Sequence, residues 1–375
     1  MTEGELYDMP QNGRIVSKSN LHNFEKVAIP TLEYLMPQVH NFHSPNIHKT
    51  MIFDFVRTEK YFQAIKETIS PGDTVLDLGT GSGILAVRCV QAGAKLVYAI
   101  EESRIADMAE RVFRRNGVAD RIVLLRENSL NLNLPSSVDV IVSEIVGNFL
   151  FEERIDLFLT DAIHRFLSPN GSVIPGKGSV FLVPMESKAL YQSAVNIWTN
   201  FPYDINLSPF VEASVNNVFI CEINADDFIG TPKTLHKLTF NNIPRQPDPA
   251  HVTFPVLQDA VCHGFGGWFE INLCKDIFLS TAPWQPLTHW KQVFFPLKAP
   301  IEVSKNDILD FIFEIESTDK EQIWSWTVYK NGAVDESLIQ STIINNPEDK
   351  RGLTESHLAK VRALDKSLKM QEEER

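Results

Sequence analysis

VLDLGTGSGIL, Val75–Leu85, decides the fold. The apolar run TVLDLGT reads as a buried strand, and it meets a turn with glycine at positions 79, 81 and 83. GILAVRCVQAG then reads as a helix closed by Gly93. The alternation continues outward from this unit. KLVYAIEES is a second strand, SRIADMAERVFRRNG a helix with Gly117 at its C-terminal cap, and RIVLLREN a third strand. VDVIVSEIV is a fourth strand, followed by an acidic loop and a helix through about Phe166. Strands alternating with helices predict an α/β fold, a Rossmann-like parallel sheet with helices on both faces. Upstream, IHKTMIFDFVRTEKYFQAIKETIS (Ile47–Ser70) carries apolar residues at helical spacing, giving one or two helices stopped at Pro71-Gly72.

Past Pro175-Gly176 the character changes. SVFLVPM, KLTF, GWFEINL, KQVFFPL, DILDFIFEIES and WSWTVYK are short β-rich runs separated by Pro, Asn, Asp and Gly. They predict an all-β second domain, a sandwich or barrel. The boundaries follow as an N-terminal segment 1–46, a parallel-sheet domain 47–176, a β-barrel-like domain 177–344 and a charged tail 345–375. A helical stretch, NFEKVAIPTLEYLM broken at Pro30, is expected late in the first segment, and a frayed helix, SHLAKVRALDKSL, in the tail.

A chain of 375 residues with 43% hydrophobic and 22% charged residues has material for two real cores. No apolar run reaches the length of a membrane span, and MTEGELYDMPQNGR carries no secretory pattern. Cys89, Cys221, Cys262 and Cys274 form no CxxC pair, so buried free thiols are expected, with no metal site. The net charge of −13 argues against direct nucleic-acid or membrane binding and suits a cationic partner. The expected location is the cytoplasm, with the nucleus open in a eukaryote.

Two places carry chemistry. The glycine turn is G-x-G-x-G, with Asp77 just before it and Glu101 at the end of the second strand, where an acid can accept from two ribose hydroxyls. A strand-end acid with this turn suits a nucleoside bearing an amino acid, S-adenosylmethionine; an ordinary βα turn with an incidental glutamate is the alternative. SEIVGNFLFEE (Ser143–Glu153) places Glu144 and Glu153 nine residues apart, on opposite faces if the segment were helical. To act together they need the chain to fold back, and Gly147-Asn148 is a suitable bend. The alternative is a solvated Glu152-Glu153 pair opening a helix.

These stretches, with STAPWQPLTHWKQVFFPL (Ser280–Leu297), resemble the protein arginine methyltransferases, type I-like, from about Leu35 to Lys330. The resemblance implies that Glu144 and Glu153 grip a guanidinium bidentately, which two carboxylates do well. It makes Asp77, Gly79, Gly81, Glu101 and Ser129 cofactor-binding and gives Arg57 the cofactor's carboxylate. It places His289 on a loop returning from the β domain, paired with Asp54, and lines the acceptor pocket with Met51, Val146 and Trp290. It also implies a head-to-tail homodimer through an arm, here the short segment 196–223 with Trp198, Phe201, Tyr203, Phe210 and Val211 as anchors.

Three departures stand out. The family's Y-F-x-x-Y motif aligns with QVHNFHSPNIH, which has Phe42 and no tyrosine, leaving Tyr34 as a substitute hydroxyl. Ser129, Leu130 and Asn131 stand where an acid should meet the adenine amine. Val146 replaces a methionine and is expected to widen the acceptor pocket beside Met51, with room for dimethyl product. Three functions remain open: methylation of arginine in proteins or peptides, the same chemistry on free arginine or another small guanidine, and a silent member that scaffolds a partner.

Overall fold

The chain enters the computed structural model, which describes residues 33–34, 44–201, 203–242, 247–317 and 322–342, as a two-residue strand, β1 (Glu33–Tyr34). Its partners are Ile220 and Phe219, so the end of NFEKVAIPTLEYLM is extended where a helix was expected. Phe42, the side chain of Tyr34 and the tail helix lie outside the described residues.

Helix α1 (Pro45–Ile52) starts at Ser44, whose hydroxyl accepts the Asn46 N–H, with proline in the first turn. Helix α2 (Phe55–Thr68) is capped by Asp54, which accepts the Arg57 N–H at 3.0 Å. The α/β layer follows: β2 (Thr74–Leu78), α3 (Ile84–Ala92), β3 (Leu96–Ile100), α4 (Ala106–Arg115), β4 (Ile122–Leu125), β5 (Val138–Ser143), α5 (Ile155–Phe166) and β6 (Leu167–Ile174). The five strands are parallel in the order β4-β3-β2-β5-β6. Val75, Leu76, Val97, Ala99, Ile141 and Val142 are fully buried between helices, as a two-sided parallel sheet requires. Strand β6 lies in a stretch to which no element was assigned: LSPNGSVI carries Pro-Asn-Gly, and an edge strand tolerates its proline.

The second half is antiparallel. It comprises β7 (Lys177–Met185), α6 (Lys188–Ala194), α7 (Pro209–Val215), β8 (Phe219–Cys221), β9 (Lys233–Thr239), β10 (Ala250–Pro255), β11 (Ala260–Cys274), β12 (Ile277–Ser280), β13 (Gln292–Val303), β14 (Ile308–Ser317), β15 (Gln322–Lys330) and β16 (Ala333–Ser341). One sheet runs β1-β8-β13-β11-β7-β9 with β12 on β11, and the other runs β10-β14-β15-β16. Helix α2 joins the halves: it packs on α3 and also on β11 and β12, and Lys275 bonds Glu67 at its end.

Phe149, from the loop after β5, is buried in the β half among Phe295, Phe313 and Trp324, with ring centroids 5.3–6.2 Å away. It fits because β11 has glycine at 267, where an added Cβ would stand 2.6 Å from the Phe149 ring. Gly267→Ala is expected to destabilise the protein by about 1–3 kcal/mol through overpacking. Calorimetric melting of Gly267→Ala and of its combination with Phe149→Leu checks this, and the second change should restore part of the loss.

Candidate active site

The C-terminal ends of β2, β3 and β5 open on one cleft of about 440 Å³. In an open parallel sheet this end, beside the strand where the order reverses, is where ligands bind. Gly79, Gly81, Glu101, Ser129, Arg57, Met51, Glu144 and Glu153 all line it.

On the glycine side the backbone is left-handed at Gly79 (φ 74°), Gly81 (φ 53°) and Gly83 (φ 82°). A Cβ on Gly79 would stand 2.9 Å from Ile145, and one on Gly81 3.0 Å from His48. The turn therefore brings bare backbone to the cleft, and α3 begins at Gly83 with no side-chain cap. Asp77 does not line the cleft. It is fully buried beneath the turn, where Oδ2 accepts the Thr80 hydroxyl at 2.5 Å and Oδ1 has no hydrogen-bond partner. Burial pushes Asp77 from 3.8 up to about 7, against the hydrogen bond from Thr80. The Glu101 carboxylate reaches back into the turn, accepting from Gly81 N–H at 2.9 Å and Ser103 N–H at 2.8 Å. A bare glycine cradle and a carboxylate at the strand end fit a nucleoside bearing an amino acid.

Sequence reasoning missed an acid at the far end. Glu127 lines the cleft just upstream of Ser129, and the Asn128 N–H and the Asn131 amide hold its carboxyl below the usual range. Asn128 in turn donates to Glu102 at 2.9 Å. An acid two residues early was the available signal.

The acidic loop folds back as its spacing demanded. Leu150 (φ 77°) donates its N–H to Gly147 C=O at 3.0 Å, and Arg154 (φ 60°) donates to Phe151 C=O at 3.0 Å. These two turns bring Glu144 and Glu153 to the same cleft. Arg57 grips Glu144: Nε donates to Oε2 at 2.7 Å, Nη2 donates to the same oxygen, and Nη1 donates to Met51 C=O at 3.2 Å. Burial, then the charges of Glu144 and Glu152, drive the Glu153 carboxyl well above its ordinary range, with Arg57 opposing them. Tyr61, also missed, lies fully buried and donates to Ser143 C=O at 3.2 Å just before Glu144.

The remaining predicted residues stand beside the cleft. Asp54 Oδ2 accepts both the His289 N–H and its Nδ1, each at 2.8 Å, binding α2 to the returning loop. Burial works to raise Asp54, but the bonds from His289 and Arg57 N–H hold it below the usual range. Trp290 is buried and donates Nε1–H to Val146 C=O at 2.6 Å, while Asn148 donates to Trp290 C=O at 2.7 Å. Val146, expected to widen the acceptor pocket, is instead fully buried in the core, while its predecessor Ile145 faces the cleft. Trp290 likewise walls the loop from behind and does not line the cleft. Of the arm, Trp198 turns inward, stacking on Phe210 at 4.7 Å and donating to Ser214 at 2.7 Å, and Val211 packs on the core. Phe201, Tyr203, Ile205 and Phe210 are exposed.

Residues 176–328 match the family model of the arginine methyltransferase oligomerization subdomain, and residues 56–176 match that of the ribosomal protein L11 methyltransferase. The chain is 32% identical to protein arginine N-methyltransferase 6 of Xenopus laevis, covering 70% of this chain and 81% of that protein. It is 33% identical to protein arginine N-methyltransferase PRMT10 of Arabidopsis thaliana, covering 70% and 78%. With the histone-arginine methyltransferase CARMER of Anopheles gambiae it shares 35% identity over 70% of its length but spans only 44% of that relative. The crystal structure of the Arabidopsis thaliana protein arginine methyltransferase 10 superposes with TM-score 0.66 at 27% identity, covering 80% of this chain and 97% of that one. The Trypanosoma brucei PRMT1 enzyme-prozyme complex with AdoHcy shares the fold, with TM-score 0.72 at 22% identity over 80% and 98%.

The Asp77 shift has a sign that can be tested. Its stabilising contribution is full below about pH 4 and is lost as pH rises through about 7. Asp77→Asn should therefore gain melting temperature relative to the parent protein more at pH 8 than at pH 5. Paired thermal melts at the two pH values check the sign.

Proposed function

This chain belongs to the protein arginine N-methyltransferase family, and we propose that it transfers methyl groups from S-adenosylmethionine to a guanidino nitrogen of arginine in a protein or peptide. The observation that carries the reading is electrostatic. Glu144 and Glu153 face one cleft, and Arg57, already held by Glu144, is the cation that acts on both. A second planar cation satisfies the carboxylate left over.

The glycine turn, Glu101 and the Glu127–Asn128 end would hold the nucleoside, and Arg57 the amino-acid carboxylate. When bound, S-adenosylmethionine supplies a methyl group on a positively charged sulfur. Glu144 and Glu153 orient the guanidinium and fix which nitrogen faces that methyl, a contribution of proximity and charge. They also draw positive charge away from the attacking nitrogen. Methylation leaves that nitrogen with one proton to lose, and Glu153, whose surroundings favour the protonated carboxyl, takes it. His289 and Asp54 act by holding α2 and the returning loop in place around these groups.

Glu144→Gln and Glu153→Gln should each lower turnover by about 10²–10³-fold or more. Glu153→Gln should leave binding of S-adenosylhomocysteine within a few-fold, since the glycine turn and Glu101 are the groups assigned to the nucleoside. Steady-state rates with an Arg-Gly-rich peptide, free arginine and agmatine, beside calorimetric binding, separate the substrate classes. Full turnover on free arginine with none on the peptide would transfer the reading to small guanidines.

We also propose a homodimer built through the exposed aromatics of segment 196–223, a reading supported by the match to an oligomerization subdomain. An apolar cluster of this kind on a surface marks an interaction site. Phe201→Asp with Ile205→Asp should weaken association by about 10-fold or more. Light scattering over a concentration series checks this, and a parent protein monomeric throughout refutes the dimer.

A further inference from the structure

Glu152 is the acid that the two-glutamate mechanism leaves unused. It is 2% exposed, deeper than either partner, it lines the same cleft, and among the described residues no lysine or arginine bonds it. Its Oε1 accepts the Phe149 N–H at 2.7 Å, while Oε2 has no hydrogen-bond partner and lies against Gly147. The fit is close: a Cβ on Gly147 would stand 2.4 Å from Oε2 and 2.7 Å from the carboxyl carbon. The glycine therefore serves the glutamate, since Gly147 itself does not need a left-handed backbone.

The surrounding turn needs a clamp. Leu150 and Arg154, neither of them glycine, sit at positive φ on either side of Glu152 and Glu153. Such residues are strained and persist only where neighbours hold them. Phe149 secures one end by its burial in the β half, and Arg154 meets Asp156 at 3.4 Å at the other. Between these anchors the Glu152 side chain is the element that fills the turn from inside.

We propose that Glu152 is a positioning residue for Glu153: its carboxyl group closes the turn from Gly147 to Glu152 and so fixes the direction in which Glu153 faces the cleft. This rests on the guanidine-methylating reading of the same cleft. A second effect follows from proximity. Burial pushes Glu152 up to about 7, against the backbone N–H groups of its own turn, and its charge then raises Glu153. The groups that act on Glu153 are Glu144, Glu152 and Arg57, and Tyr61 lies within reach of Glu144 and Glu153. A neutral residue 152 that still accepts the Phe149 N–H therefore keeps the turn and lets Glu153 ionise at lower pH.

The test compares Glu152→Gln and Glu152→Ala in the full chain with an Arg-Gly-rich peptide, across pH 6–9, beside calorimetry with S-adenosylhomocysteine. Hydrogen exchange over residues 147–153 follows the turn itself. In Glu152→Ala, kcat should fall at least 10-fold with binding of S-adenosylhomocysteine within 2-fold of the parent, and the Phe149 amide should lose protection. Glu152→Gln should rescue most of kcat, keep the protection, and move the acid limb of the kcat/KM profile to lower pH. A Glu152→Ala enzyme at parental kcat overturns the proposal, as does a Glu152→Gln enzyme as crippled as Glu152→Ala or with an unmoved acid limb. A parent protein inactive on every guanidine fails the methylating reading instead. Exchange at Phe149 then still decides whether Glu152 closes the turn.

Discussion

Two hydrogen bonds between residues more than 140 positions apart hold the cleft together: Asn148 to the Trp290 carbonyl, and the Trp290 indole to the Val146 carbonyl. Strand β5 ends at Ser143, so the buried loop beyond it has backbone groups without sheet partners. A buried carbonyl left unpaired costs about 1–3 kcal/mol. The β half supplies the missing donor, and Asp54 with His289 repeats the arrangement on the other side of the cleft. Neither half can shape the acceptor site alone. Phe149 makes the dependence mutual, since it leaves the loop to fill a space in the β half made by Gly267.

That coupling makes the electrostatics possible. Like charges near 4 Å apart repel by about 4 kcal/mol at the effective dielectric of a partly buried site. Three glutamates within ten residues, with Arg57 bonded to Glu144 and acting on Glu153, leave an excess that a flexible loop would relieve by turning outward into solvent. The clasp to the β half prevents that relief. The excess is answered by protons at Glu152 and Glu153, or by an arriving cation. A cleft that prefers a guanidinium is the result of holding acids where they cannot spread.

Much of this was legible in the sequence, and the misses have physical causes. Strand–glycine–helix alternation located the parallel sheet, because two-sided burial leaves continuous apolar runs and glycine marks positive φ. Strand β6 was missed because its Pro169-Asn170-Gly171 carries turn chemistry, which an edge position permits. Val146 was assigned to the pocket because it stands where the resembled family carries methionine, yet one residue of register decides which side chain faces the cleft, and Ile145 holds that place. Glu152 and Glu153 are adjacent and chemically identical. Both line the cleft, and only the turn's backbone seats Glu152 against Gly147. Trp198 and Val211 carried the apolar signal of an interface while serving local packing, a distinction that composition does not contain.

Buried carboxyl oxygens without hydrogen-bond partners occur at the cleft: among the described residues, Asp77 Oδ1 lies at the end of β2 beneath the glycine turn and Glu152 Oε2 lies inside the acidic loop. Positive-φ residues Leu150 and Arg154 belong to the same region. The parallel sheet below and the aromatic core of the β half are apolar and closely packed. Strain and desolvated charge are tolerated where two well-packed bodies meet, because each supplies the rigidity that the other's loop lacks. An enzyme assembled from either half alone would lose that support, and its acids would return to solvent as ordinary surface glutamates.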